Sequence, residues 1–360
     1  MSMTSRERVL AAVSHRQPDR VPIGPGFSRE MLDLLRAELT LERDEDVLDW
    51  AGNDFAWVGP RFPQAVSSIA YADPTIEVTP DGLYLDIYRV PFRVIRTEYQ
   101  SYVDLAGRPP LRQFQSPAEL ETFPWPTAEM WDYSGISQAL DDHAAKATDG
   151  HSRGFFEIAH FMRGMDAFLM DLAADPEMAC AIMDRIIGHL LERARRMLQN
   201  GAGRYAVFEY NDDVASQRGL MISPEMWRRH VKPRLAKFCD LYHAFGAKVR
   251  YHSCGAVRAI IPDLIEIGVD ILNPVQSLAA GMDPFELKCE FGRELTFHGG
   301  VDIQDFLIHA TPQQVSDHTR RLIDVVGKDG GFILAGSHVI QADTPVANVV
   351  ALFETAKRWC

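Results

Sequence analysis

His252 and Cys254 are the two residues whose types and spacing point most directly to chemistry. They follow a short apolar run, and a glycine and a helix-like stretch come after them. Because residues two apart on a strand face the same side, an imidazole and a thiol would lie side by side there. Zinc binds nitrogen and sulfur ligands of this kind. The pair alone fits a buried structural cysteine beside a hydrogen-bonded histidine at least as well as a zinc site, and a cysteine–histidine nucleophile is a third alternative.

A zinc site needs ligands from other strands as well, because zinc in proteins usually has four. His338, at the end of the last apolar run, is the best-placed third ligand. Glu209 and His298 compete for the fourth position, which water or a substrate could occupy instead. The sequence thus predicts a metal centre formed by His252, Cys254 and His338, with Glu209 as a further ligand.

Three polar residues after the fourth apolar run are candidates for catalysis. Asp212, Asp213 and Gln217 could carry a proton or bind a substrate hydroxyl group. They could equally form a polar loop that caps the helix beginning near Ser223, since short polar side chains bond readily to nearby backbone groups.

Aromatic residues near predicted strand ends could form the wall of a pocket for an aromatic or methylated substrate. These residues are Phe27, Trp57, Phe161, Tyr210 and Tyr251. All except Phe161 are predicted, together with His298, to line the substrate pocket. Most of these rings would also fit an ordinary hydrophobic core.

Short apolar runs alternate with amphipathic stretches along most of the chain, which predicts strands alternating with helices. The eight predicted strands are 20–27, 53–60, 154–161, 204–212, 247–255, 269–276, 294–302 and 330–338. Predicted helices include 28–39, 175–200, 223–245, 256–267, 311–326 and 344–359. This order indicates a single (β/α)8 TIM barrel over 1–360, whose active site would form at the carboxyl ends of the strands. An open doubly wound sheet is the alternative, but no glycine-rich nucleotide loop follows an early strand.

The stretch 69–126 interrupts this alternation. Its residues alternate between apolar and polar around a Pro-Asp-Gly turn, in "TIEVTPDGLYLDIYRVPFRVIR". Such a pattern is typical of a β-hairpin. We therefore predict a hairpin inserted into the barrel after the second strand.

The composition limits the class of protein. Hydrophobic residues make up 46% of the 360 residues, which predicts a packed globular core. The net charge of -13 argues against nucleic acid or an anionic membrane as partner. The five cysteines are odd in number and unpatterned, so we expect a reducing, cytoplasmic location. No apolar stretch has the length of a transmembrane helix, and the N-terminal region lacks the apolar core of a signal peptide.

Several of these motifs together resemble the uroporphyrinogen decarboxylase superfamily, and within it the zinc methyltransferase branch. The motifs are "SRERVLAAVSHRQPDRVPI", "HSCG", "IPDLIEIGVDILNPVQ", "TFHGGVD" and "GGFILAGSHVIQADTPVANVVALFE". They extend over nearly the whole chain. The resemblance implies a TIM barrel and, from the methyltransferase branch, zinc bound at the H-x-C pair.

The sequence departs from the decarboxylases of this superfamily after the first strand. Those enzymes carry an arginine-rich "RQAGRY"-like loop, whereas this chain has "IGPGFSREMLDLL" with Arg29 as the only arginine. A substrate with eight carboxylates needs several cationic partners. We therefore do not expect this chain to decarboxylate uroporphyrinogen.

A second departure concerns the metal ligands. The thiol-methylating members resemble this chain at H-x-C but have a second cysteine after the eighth strand, in a "PGCGI"-like stretch. Here the sequence is "GSHVI", so the resemblance implies that His338 replaces that cysteine. A neutral imidazole in place of a thiolate makes the site more positive and the zinc a stronger Lewis acid.

The resemblance implies a zinc-dependent methyltransferase that moves a methyl group between a small methoxylated or thiol substrate and a corrinoid protein. The stretch 240–246 differs by one position from the cobalt-ligating D-x-H-x-x-G loop of cobalamin domains and reads better as a helix end. The corrinoid is therefore expected on a separate partner protein. A homodimer is one option for the assembly.

Two other functions remain open. One is a decarboxylase or lyase that acts on a small acid without a metal, with Asp212 or Asp213 as the proton carrier. The other is a non-catalytic binding protein that keeps the barrel and a pocket. A fold alone does not decide among these three functions.

Overall fold

A parallel β-sheet surrounded by helices forms the centre of the molecule in the computed structural model, which describes residues 2–62 and 77–358. The strands are β1 (Phe55–Trp57), β2 (Glu77–Val78), β3 (Tyr84–Leu85), β4 (Pro91–Arg96), β5 (Ser101–Leu105), β6 (Ala147–Arg153), β7 (Val207–Asn211), β8 (Ala215–Ser216), β9 (Gly219–Leu220), β10 (Lys248–His252), β11 (Ile271–Val275), β12 (Thr296–Val301) and β13 (Phe332–Gly336). The central sheet has the order β1-β6-β7-β10-β11-β12-β13, and each of its neighbouring pairs is parallel.

Helices follow most strands of the central sheet. They are α1 (Ser5–Val13), α2 (Arg29–Leu39), α3 (Asp44–Trp50), α4 (Ile136–Asp142), α5 (Phe155–Arg163), α6 (Met165–Ala174), α7 (Glu177–Gly201), α8 (Pro224–His230), α9 (Lys232–Ala244), α10 (Ile261–Glu266), α11 (Pro284–Phe291), α12 (Phe306–His309), α13 (Pro312–Val325) and α14 (Val346–Arg358). Short 3-10 helices lie at Pro117–Thr122, Ala128–Met130 and Arg258–Ile260. Within the described residues, no helix has both the length and the apolar character needed to cross a bilayer.

The predicted first strand, 20–27, contributes isolated bridges in place of a regular strand. Ile23 forms a parallel bridge with Leu334, and its carbonyl oxygen accepts a hydrogen bond from the Asp54 backbone N–H. Two prolines in this stretch remove N–H donors that a regular ladder would use. The described chain therefore has an α/β fold with a parallel half-barrel sheet of seven strands, where the sequence predicted eight.

The third strand lies earlier in the chain than predicted. The run 154–161 is not a strand, because it forms most of helix α5 and buries its apolar residues at helical spacing. Strand β6 is instead the preceding stretch "ATDGHSR". The buried Thr148 hydroxyl group donates a hydrogen bond to the Arg204 carbonyl group, and the buried Asp149 carboxylate pairs with Arg250. Polar residues with buried partners can occupy a strand, but they leave no apolar pattern to reveal it.

The predicted helix 223–245 is divided into two. Helix α8 begins after Ser223, whose hydroxyl group accepts a hydrogen bond from the Met226 N–H, and it ends at His230. Helix α9 restarts at Lys232 with Pro233 in its first turn, a position that proline favours.

Helix α1 packs against the amino-terminal ends of the strands. Val9 and Val13 of α1 share a small hydrophobic core with Val207, Ile271 and Ile333, which lie at or next to the first positions of their strands. This packing fills the amino-terminal end of the sheet. The carboxyl ends of the strands are left to build a functional site.

An antiparallel sheet of four short strands follows β1 in sequence. Strands β2 and β3 flank the Pro-Asp-Gly turn, where Gly82 has a φ of 81° in the left-handed region that glycine adopts without strain. Strand β4 pairs with β3 on one side and β5 on the other. Part of the predicted hairpin, 69–76, lies outside the described residues.

Candidate metal centre and its cavity

Three predicted ligands converge at the carboxyl ends of two strands. His252 is the last residue of β10, Cys254 lies two residues beyond it, and His338 follows β13. One potential ligand atom from each of the three residues lies within 4.8 Å of the others. His252 and Cys254 are half-buried and His338 is exposed, so the group has one side open to solvent.

A hydrogen bond to Asn273 fixes the orientation of the His252 ring. Its Nδ1 atom lies 2.6 Å from Oδ1 of Asn273, its partner in register on strand β11. Because an amide oxygen only accepts, Nδ1 is the donor in this bond, and in a neutral ring the free lone pair is then on Nε2. Nε2 lies 3.8 Å from the Cys254 sulfur atom. The ring therefore presents an acceptor nitrogen to the group of three.

The Cys254 thiol lies in an environment that disfavours its charged form. Burial raises the pKa of this thiol, and the nearby carboxylates of Asp213 and Glu157 raise it further. The Cys254 backbone N–H donates a 2.8 Å hydrogen bond to Asp213 Oδ1, which fixes this part of the loop. A thiolate at this position would need a cation beside it.

The glycine of the "HSCG" motif has a structural role. Gly255 has a φ of 89°, and a Cβ atom there would lie 2.5 Å from the Ser216 carbonyl oxygen. Its N–H donates a 2.7 Å hydrogen bond to Oε1 of Gln276. The exposed Gln217 donates to the same oxygen from the other side. Gln217 therefore braces the loop and does not line the cavity beside the metal ligands.

A cavity of about 610 Å³ opens beside His252 and His338. The antiparallel sheet contributes residues of β4 and β5, and strand β6 with helix α5 forms another wall. Asp213 lies in the lining as well. A volume of this size accommodates a small organic molecule.

The two neighbouring aspartates have different environments. Asp212 is fully buried and accepts hydrogen bonds from the backbone N–H groups of Phe156 and Glu157 and from the Tyr210 hydroxyl group. Burial raises its pKa to about 7. Asp212 thus caps the first turn of helix α5 and does not line the cavity, whereas Asp213 does.

Glu209 lies within a buried ion-pair network and not in the group of three. Arg250 donates to it at 2.5 Å, and Nδ1 of His151 lies 3.1 Å from its other oxygen. Arg250 also pairs with Asp149. These partners hold the pKa of Glu209 well below its usual range despite the opposing effect of burial, which is the largest single influence. The carboxylate is therefore already neutralised by protein groups.

Three of the predicted pocket aromatics belong to the core. Tyr210 and Tyr251 are fully buried and stack with ring centroids 6.2 Å apart, and Tyr210 also contacts Phe238 of helix α9. Phe27 packs edge-to-face on Phe353 of helix α14 at 5.5 Å. These rings fill the layer between sheet and helices, so they do not reach the cavity.

Trp57 and His298 line a second cavity of about 600 Å³. His298 stacks on Phe55, with ring centroids 5.8 Å apart. Burial lowers its pKa to about 3, and neither ring nitrogen has a hydrogen-bond partner in the described structure. His298 is therefore a neutral, buried imidazole set apart from His252, Cys254 and His338.

Several cavity residues were not predicted from the sequence. His151, Arg153 and Glu157 lie on β6 and α5, the elements that the sequence assigned incorrectly. Phe92 comes from the antiparallel sheet. The stretch "GHSRG" contains a pattern that could have identified some of them. Polar residues just before a glycine and a helix are typical of the end of a barrel strand.

The model of the uroporphyrinogen decarboxylase (URO-D) family matches residues 144–359. This chain belongs to the URO-D family. The match covers strand β6 through helix α14 and therefore includes His252, Cys254 and His338.

Two further proteins are similar to this URO-D family member. A methylated-thiol–coenzyme M methyltransferase from Methanosarcina mazei is 24% identical over 213 residues, which are 56% of this chain and 50% of that relative. The chain thus aligns with half of the relative's length. A solved methyltransferase structure from Methanosarcina mazei covers 99% of both chains with a TM-score of 0.68 and 17% identity. This structural likeness establishes the shared fold.

Proposed function

We propose that this chain is a zinc-dependent methyltransferase that moves a methyl group between a small methoxylated or thiol substrate and a corrinoid on a separate protein. The observation that carries the proposal is the convergence of His252, Cys254 and His338 within 4.8 Å. The group lies at the carboxyl ends of the strands, beside a cavity large enough for a small substrate.

The donor atoms suit zinc. Two imidazole nitrogens and one thiolate are ligand types that zinc prefers, and three protein ligands leave one position open, as in catalytic zinc sites. When bound, zinc would act as a Lewis acid that stabilises the substrate heteroatom as an anion. Glu209 is the weaker candidate for a fourth ligand, because Arg250 and His151 already hold its carboxylate.

We place the substrate in the cavity that contains His252 and His338. Asp213 lies in the same lining and is available to bind a polar group of the substrate. Trp57 and His298 belong to the second cavity, so we assign them no direct contact with a substrate bound beside the metal ligands.

The comparisons favour methyl transfer among the reactions open to this fold. Both similar proteins are named as methyltransferases, and one name specifies a methylated thiol. A corrinoid partner is the methyl carrier implied by the sequence resemblance. The chain's own stretch 240–246 ends helix α9 and leads into β10, so it offers no corrinoid loop.

The proposal is tested by following methyl transfer from candidate donors to a reduced corrinoid, whose visible absorption changes on methylation. We expect transfer by the zinc-loaded wild type and roughly a hundredfold slower transfer by Cys254→Ser, since even the loss of a bond that supports a metal ligand costs about tenfold to a hundredfold. The matched control is Cys289→Ser, which changes an exposed cysteine outside the cavity and should keep full activity. Equal transfer by wild type and Cys254→Ser would exclude zinc chemistry at this site.

A metal-independent lyase acting on a small acid is the second candidate. Its support is Asp213, a carboxyl group that lines the cavity close to the Cys254 backbone. Release of carbon dioxide without a corrinoid, unaffected by a chelator and abolished in Asp213→Asn, would favour this function over methyl transfer.

A further inference from the structure

The cavity beside the metal ligands contains an aromatic corner. Phe92 of strand β4 and Phe161 of helix α5 both line it, and their rings meet edge-to-face with centroids 6.4 Å apart and planes at 86°. Phe92 is 5% exposed, so its ring is held firmly by the antiparallel sheet. Aromatic rings carry partial negative charge on their faces, so rings in a cavity lining can attract a bound cation.

Two carboxylates line the same cavity as this aromatic corner. Glu157 is four residues before Phe161 on helix α5, so both side chains lie on one face of that helix, and both line the cavity. Asp213 lies next to Cys254 and accepts a hydrogen bond from its backbone N–H. Burial raises the pKa of Glu157 despite the opposing effect of the Arg153 charge.

The formal charges of the described lining residues do not balance. Arg93 pairs with Asp104 at 2.8 Å at the rim, which leaves that pair neutral. Arg153 also lines the cavity and lies 3.9 Å from Glu157 and 3.6 Å from Asp86.

Among the charged residues that line the cavity, Asp104 forms this neutral pair with Arg93, and the carboxylates of Glu157 and Asp213 lie in the same lining as the single guanidinium group of Arg153. By formal charge, these lining residues therefore have one carboxylate more than they have guanidinium groups.

We infer that the substrate carries an ammonium group, methylated on nitrogen, which is held against Phe92 and Phe161 and opposite Glu157. Aromatic faces combined with carboxylates are the environment that binds quaternary ammonium groups in proteins. This inference deepens the proposed function, because the substrate's reacting heteroatom would lie at the other end, beside His252 and Cys254. A substrate carboxylate would instead have to compete with Asp86 and Glu157 for Arg153.

The test compares ligands of equal shape and different charge. Calorimetry on the purified full-length chain would measure binding of choline, of its uncharged isostere with a tert-butyl group in place of trimethylammonium, and of the matching tert-butyl carboxylate. We expect choline to bind roughly tenfold or more tightly than the neutral isostere, the range of a partly desolvated cation–π and ion-pair contact. The carboxylate should bind most weakly.

Two variants test which residues cause the preference for a positively charged ligand. Glu157→Gln should remove most of the discrimination between choline and its isostere, and Phe161→Leu should weaken choline binding with a smaller effect on the isostere. Glu177→Gln makes the same chemical change on the exposed first turn of helix α7 and should behave as wild type. Thermal unfolding of each variant would verify that it is folded.

The inference is overturned if the isostere or the carboxylate binds as tightly as choline, or if Glu157→Gln leaves the preference intact. Repeating the titrations after treatment with a chelator separates this outcome from failure of the proposed function. An intact preference for choline in a protein that binds no zinc would contradict only the zinc methyltransferase. Loss of the choline preference in protein that still binds zinc would contradict only the ammonium substrate.

Discussion

The side chain of Asn273 holds the ring of His252 through a 2.6 Å hydrogen bond between Oδ1 and Nδ1. The two residues face each other in register on neighbouring parallel strands, β11 and β10. The bond sets both the tautomer and the angle of the imidazole, with Nε2 directed toward the Cys254 sulfur atom at 3.8 Å. Bonds of this type behind a metal-ligating histidine raise its basicity and fix its orientation.

Replacing the amide that orients His252 should weaken metal binding without removing a ligand. We expect Asn273→Ala to lower zinc affinity by about tenfold to a hundredfold, the range seen when such supporting bonds are lost. Competition with a fluorescent chelator measures the affinity. Asn211→Ala is the matched control, since Asn211 faces His252 in register on the opposite side, and its zinc affinity should stay close to that of wild type. Equal losses in both variants would argue against a special role for Asn273.

His338 distinguishes this chain from relatives expected to carry a cysteine at this position. His338→Ala should lose zinc affinity by tenfold to a hundredfold or more, since the loss of a direct ligand is at least as costly as the loss of a supporting bond, about tenfold to a hundredfold. His338→Cys should keep the metal but slow the activation of an oxygen substrate, because a second thiolate donates more charge to it. Zinc content and methyl-transfer rates measured together provide the test. Full zinc affinity in His338→Ala would remove this residue from the ligand set.

Asp212 should make the protein less stable as the pH rises. Its folded-state pKa of about 7 lies above its ordinary value of 3.8, so the folded state binds the proton more tightly than the unfolded state. The stabilisation is fully present below about pH 4 and is lost as the pH rises through about 7, an effect of roughly 2–4 kcal/mol. Asp212→Asn cannot ionise, so its unfolding free energy relative to wild type should increase over this range. Urea unfolding at several pH values measures it, and parallel curves would refute the buried-acid account.

His160 should make the protein less stable as the pH falls. It is 3% exposed, and burial lowers its pKa from 6.5 to about 4. Between these two pH values, the unfolded chain binds a proton at His160 and the folded chain does not. Stability is therefore lost as the pH falls from about 6.5 to about 4, by about 2 kcal/mol at pH 5. In His160→Leu this loss should be smaller by that amount, because leucine cannot take up a proton. Leucine also fills a similar volume beside Phe156 and Phe161. An unchanged acid sensitivity would show that other groups control it.

The sequence predicted the elements around His252, Cys254 and His338 well, because apolar runs mark their strands. Strands β10 and β13 are mostly buried, so hydrophobic stretches end close to the polar residues that the structure brings together. Since parallel strands present their carboxyl ends on one side of the sheet, residues more than eighty positions apart could be predicted to meet.

The wall formed by β6 and α5 could not be predicted in the same way. Strand β6 is buried yet polar, because Thr148 and Asp149 bond to partners distant in sequence. The apolar run after it is helical, and its first turn is capped by Asp212 from another element. Both facts depend on tertiary partners, which no local pattern reveals. His151 and Glu157 were missed for this reason, and Asp212 was given a catalytic role that its burial does not favour.

X-ray absorption at the zinc edge of the purified protein, combined with elemental analysis, tests the central claim most directly. We predict near-stoichiometric zinc with one sulfur ligand, Cys254, at about 2.3 Å and nitrogen ligands at about 2.0–2.1 Å from His252 and His338. The sulfur contribution should disappear in Cys254→Ser and remain in Cys289→Ser. Protein without stoichiometric zinc, or zinc whose coordination is unchanged in Cys254→Ser, would contradict the metal centre and the methyltransferase built on it.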